Sequence, residues 1–231
     1  MQIGTDLVVL SSISTVIISA VIGTYLGRKW YNQQVRLITD LPLVFAIAFV
    51  SQAFNITILT LQHTGILETS MILFRIRSIT IGGSITPILG ALLQIWLPRI
   101  QKYHNKMVYL LTLYWVSIAI FGATEALVMI LTIPVMIVLG IMMMFTFIIT
   151  WRTGRLKEVR SELMIISVLF GMASQILRVP LMTTSLFYLP DVLLTISMLV
   201  TAIAFANPWY HREVRAKREE TPPMVSSHEY Y

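Results

Sequence analysis

The chain contains no cysteine. A disulfide framework, an iron–sulfur cluster and a thiolate zinc site are therefore excluded. Charge is scarce as well. Asp, Glu, Lys and Arg make up 12% of the 231 residues, about half the share of an ordinary soluble domain. The histidines His63, His104, His211 and His228 lie in four separate polar segments and form no ligand pair. There is no Walker loop and no dinucleotide fingerprint. "GGSIT" at 82–86 lacks the closing glycine of a serine nucleophile elbow. No histidine lies inside a span to serve as its base. These absences predict a protein that is not an enzyme and holds neither metal nor cofactor.

What the sequence has instead is apolar length. It is 56% hydrophobic, with mean hydropathy +0.78. Apolar residues run continuously rather than alternating, which predicts membrane-spanning helices and not a barrel. The expected fold is all-α, with seven transmembrane helices at about 7–26, 41–61, 71–97, 108–126, 130–150, 163–186 and 191–209. The turn between spans four and five should fall between Gly122 and Pro134. The segment 211–231 reads as a basic stretch followed by a disordered tail.

The net charge of +6 comes from clusters between spans. Arg28, Lys29 and Arg36 follow span one; Arg99, Lys102 and Lys106 follow span three. Arg152, Arg155, Lys157 and Arg160 follow span five; Arg212, Arg215, Lys217 and Arg218 follow span seven. With seven spans all four clusters share one side, and the other side has no lysine. The positive-inside rule then places the N-terminus outside and the C-terminus in the cytoplasm of a cell-membrane protein. Trp30, Trp96, Trp151 and Trp209 stand at the same end of the odd spans, at headgroup level. The basic balance is thus a topology signal, and no separate basic domain exists to bind nucleic acid.

Arg75, Arg77 and Arg178 do not follow this rule. They sit near the outer ends of spans three and six, at a depth shared with Glu125 and Asp191. A charge in the hydrocarbon core needs a partner or water. One expectation is an outward-facing vestibule in which these five residues pair and bind a small polar or anionic ligand. The alternative is that Arg75 and Arg77 snorkel to headgroups. Near the midplane, Gln52, Asn55 and Gln175 either line a site or join helices by hydrogen bonds. In span three, Gly82, Gly83 and Pro87 mark either a broken helix along a cavity or a kink with a small-residue packing seam.

A faint repeat pairs "GRKWYNQQVRLITDLPLVFAIAFVSQAF" (27–54) with "GRLKEVRSELMIISVLFGMASQIL" (154–177). Spans one to three would then repeat as five to seven in the same orientation, with span four as linker. This layout resembles the seven-helix, N-out, three-plus-one-plus-three proteins: PQ-loop carriers, microbial rhodopsins and seven-helix sensor input domains. The chain has no Pro-Gln pair and no lysine in span seven, so the carrier motif and covalently bound retinal are both absent from the expectation. The resemblance implies a sensor or receptor-like, ligand-binding module acting through a protein partner or homo-oligomer. The alternatives are a small-solute carrier or channel and a structural subunit of a membrane complex.

Overall fold

A computed structural model describes residues 2–154, 159–181, 184 and 186–207. The expected tail at 211–231 lies outside the described residues. The described chain is helical: α1 (Gln2–Tyr31), α2 (Leu41–His63), α3 (Met71–Trp96), α4 (Gln101–Phe121), α5 (Glu125–Thr153), α6 (Ser161–Leu181) and α7 (Leu189–Ala206), with a 3₁₀ turn at Pro98–Ile100 before α4.

Local chemistry sets the boundaries. Pro42 and Pro190 stand in the first turns of α2 and α7, where a missing N–H is harmless. Ser70 and Thr124 cap α3 and α5, their hydroxyls accepting from the backbone N–H of Leu73 and Leu127. Gly65 and Gly154, at φ 75° and 61°, turn the chain after α2 and α5. The Thr124 cap makes the α4–α5 turn tighter than span boundaries at 126 and 130 imply. Glu125 consequently opens α5 rather than lying within the fourth helix.

Six of the seven helices are long and apolar enough to cross a membrane. The exception is α4, whose first turns carry Lys102, His104, Asn105 and Lys106. Of the seven expected spans, six thus have the length and hydropathy of a crossing, and α4 falls short on composition. Lipid-facing character is plain in the exposed aliphatic side chains, among them Leu10, Ile17 and Val21 on α1 and Ile130 and Val138 on α5. Water would not tolerate such a surface. The protein is an all-α, multi-pass membrane protein.

Each long helix packs against the next, and α7 closes the ring onto α1. Side-chain contacts give the directions. Trp115 Nε1 on α4 donates to the Ser78 carbonyl on α3, and Arg75 near the start of α3 reaches the Gly122 carbonyl just past α4. Thus α4 runs antiparallel to α3 along its length. In contrast, Ser12, Thr15 and Ser19 on α1 meet Asp191, Thr195 and Met198 in the same order on α7. These two neighbours are parallel. Helices α1 and α3 do not pack closely, nor do α5 and α7, so neither half of the faint repeat forms a three-helix bundle of its own.

Two apolar cores result. One joins α1, α2, α5, α6 and α7 around Phe45, Phe147, Met198 and Phe205. The other joins α3, α4 and α5 around Ile85, Leu92, Trp115 and Leu139. Helix α3 continues as one helix through Gly82, Gly83 and Pro87, so it is not unwound there. Gly82 is the close-approach position: a Cβ there would stand 2.3 Å from the Trp115 ring, whereas one on Gly83 would meet nothing within 4 Å.

Candidate functional site

The end of the ring holding the start of α3 and the end of α6 gathers the stray cations. Arg178 Nη2 lies 2.6 Å from Asp191 Oδ1, with the side chains 17% and 5% exposed. Ser12 Oγ donates to Asp191 Oδ2 at 2.9 Å. Asp191 thus has a cation on one oxygen and a hydroxyl on the other, and α1, α6 and α7 are tied at this point. Ser174 on α6 donates to the Pro190 carbonyl at 2.7 Å and fixes the same corner.

Arg75 and Arg77 go to different neighbours. Two residues along a helix are about 200° apart. Arg75 Nη2 donates to the Gly122 carbonyl at 3.4 Å, on the α4 side. Arg77 turns toward α2, where Nε donates to Asn55 Oδ1 at 3.0 Å and Nη1 to Gln62 Oε1 at 3.4 Å. Both of its partners are neutral amides. Arg77 also lies within electrostatic reach of Arg178 and Glu125. Glu125 is itself exposed and forms no ion pair among the described residues.

The structure adds His63 to this group. Its ring stacks edge-on against Phe187 at 5.7 Å and lies within electrostatic reach of Asp191, Arg77 and Arg178. Among the described residues, its Nδ1 and Arg178 Nε are buried without a hydrogen-bond partner. Helices α2, α3, α6 and α7 thus bring His63 within electrostatic reach of Arg77, Arg178 and Asp191, and Arg77 within reach of Arg178.

Of the five residues expected together, Arg178 and Asp191 are in contact, Arg77 lies within electrostatic reach of Arg178, Arg75 is bonded at the α4 terminus, and Glu125 is exposed. The three midplane amides are not joined to one another. Asn55 is buried and bonded to Arg77, Gln52 is half-buried, and Gln175 is exposed. Ser12 and Thr15 are the partners that sequence reasoning missed. Their signal is spacing: Ser12, Thr15 and Ser19 occupy one face of an otherwise apolar helix, and each is fully buried.

Guanidinium groups and an imidazole lie near a carboxylate that is already engaged, and among the described residues no group of three His, Cys, Asp or Glu side chains is placed to hold a metal ion. No family model, curated protein or solved structure matches the chain.

Proposed function

We propose that this chain is a seven-helix, receptor-like membrane module that binds a small polar or anionic ligand at the Arg77–Arg178 end and passes the change to a protein partner. We assign no catalytic step to it. One observation carries the reading: four different helices supply His63, Arg77, Arg178 and Asp191 to a single cluster. A ligand held there would alter how those helices sit against one another, which is what a sensor requires.

Topology supports it. Neighbouring parallel helices α1 and α7 need an odd number of alternating elements, so α4 counts as a crossing despite its polar first turns. Arg28, Lys29, Arg36, Arg99, Lys102, Lys106, Arg152 and Arg160 all belong to the opposite end of the ring. That end is then cytoplasmic, and the ligand end faces out.

A carrier draws support from the hydroxyl ladder along α7, where Thr195, Ser197 and Thr201 meet Thr15 and Ser167. Those hydroxyls already satisfy one another, which suits helix packing better than solute passage. The receptor-like reading is therefore preferred.

The absence of native cysteine makes the test direct. Phe187→Cys, beside His63, should react in intact cells with a membrane-impermeant thiol reagent, as should the exposed control Ile66→Cys. A reactive control with an inert Phe187→Cys would close the vestibule and remove the receptor reading.

A further inference from the structure

We propose that the Arg77–His63–Arg178 cluster is a site for a singly charged oxyanion, either a phosphodiester or a carboxylate, with Arg77 as its principal ligand. This rests on the receptor-like reading and names the ligand class.

The two arginines differ in what holds them. Arg178 is neutralised, because Asp191 stands 2.6 Å from it at a nearly buried position. Arg77 is positioned by Asn55 and Gln62, whose amide oxygens orient the guanidinium without cancelling its charge. Among the described residues no carboxylate pairs with it. A guanidinium held by neutral acceptors within a membrane span keeps its field for a third group. Among the groups in direct contact, Arg77 and Arg178 with Asp191 leave one positive charge that no ion pair cancels; Glu125 acts on Arg77 only at a distance, from an exposed position. A monoanion balances that charge and a dianion exceeds it.

Donor geometry agrees. Nη2 of Arg77 makes no hydrogen bond among the described residues. Arg178 Nε is a buried, unpartnered donor there, and His63 Nδ1 is buried and unpartnered beside it, a donor in its protonated tautomer. A two-oxygen anion matches a guanidinium fork. Arg75 differs in direction: it too has a neutral acceptor and a buried, unpartnered Nε, but it is turned away to the α4 carbonyl.

Two sources carry this chemistry. Arg77 is six residues into α3, about 9 Å along it. In a 26-residue helix of about 39 Å, against a core of about 30 Å, this lies a few ångströms below the headgroups. A lipid phosphodiester can reach it from the bilayer and a free carboxylate from the water.

The experiment uses the full chain, purified in detergent and stripped of phospholipid, and follows Tm against two probes at constant ionic strength: dihexanoyl phosphatidylglycerol and sodium hexanoate. Wild type and Arg75→Gln should show a saturable rise with at least one probe. Arg77→Gln should need about tenfold more probe or more, as expected when a charge-assisted hydrogen bond is lost. A response to phosphatidylglycerol alone assigns the lipid, and a response to hexanoate assigns a soluble carboxylate. If Arg77→Gln fails to fold, Asn55→Leu with Gln62→Met decides, since it removes both acceptors that orient the guanidinium but keeps its charge; the probe concentration at half-saturation should also rise. No response in wild type, or the same response in the variant, overturns the proposal. A reactive Phe187→Cys with two silent probes retires the anion but leaves the vestibule. An inert Phe187→Cys with an active lipid probe retires the vestibule but leaves the anion site.

Discussion

Asp191 accepts from Arg178 through one carboxylate oxygen at 2.6 Å and from Ser12 through the other at 2.9 Å. Removing the arginine strands a buried carboxylate. Arg178→Met should therefore destabilise the bundle by about 3–5 kcal/mol, whereas Arg178→Met with Asp191→Leu should regain most of that loss. Thermal unfolding in detergent measures both. Equal loss in the single and double variants would contradict the pairing argument.

Ser12 contributes less, because its hydroxyl donates to an acceptor that keeps its cation. Ser12→Ala should cost about 1–2 kcal/mol. The effect should largely vanish in an Asp191→Leu background, where no carboxylate remains. A double-mutant cycle reads this coupling, and full additivity would deny it.

The adjacent glycines of α3 should respond oppositely. Gly82→Ala drives a methyl into the Trp115 ring and should cost about 1–3 kcal/mol. Gly83→Ala meets open space and should stabilise by about 0.5–1 kcal/mol through helix propensity. Comparing the two unfolding midpoints checks the placement of α4 against α3.

Lipid exposure predicts where a charge is tolerated. Val138 is 55% exposed, near the middle of α5. Val138→Lys should disfavour insertion by about 2.5–3.5 kcal/mol. Phe121 is 82% exposed at the end of α4, and Phe121→Lys should insert nearly as well as the parent. A membrane-insertion assay that ranks these two the other way would invert the lipid boundary.

The crossing of α4 is testable by position-specific tags. Tags in the segments after α2 (64–70) and after α4 (122–124) should lie on one side, and a tag at 97–100 on the other. Protease accessibility in sealed vesicles reports this. A tag at 122–124 that shares its side with 97–100 would remove α4 from the membrane.

Much of this arrangement is legible in the chain because the bilayer imposes simple rules. Long apolar runs and clustered bases announce helices and their ends. Arg178 and Asp191 are readable as members of one charged layer, because five stray charges share one depth; which acid meets which arginine is decided by the helix packing. Arg75 and Arg77 are harder: their adjacency suggests one site, but helical geometry sends them to α4 and α2. The serine and threonine ladder is hardest. In an apolar run a hydroxyl can satisfy itself on the carbonyl a turn earlier, as Thr15 does with Ser11, so its second partner depends on which helix the ring brings alongside. His63 is likewise ordinary in sequence and becomes notable through the arginines around it.

The parallel contact of α1 with α7 has a consequence for how the protein enters its membrane. Ser12, Thr15 and Ser19 can meet Asp191, Thr195 and Met198 in register if every intervening helix has reversed the chain. Should one helix fail to insert, α7 would arrive upside down. Asp191 would then stand at the wrong depth, without Ser12. The ladder is in effect a parity check on insertion: it closes for an odd number of crossings and leaves a buried carboxylate exposed to quality control for an even one.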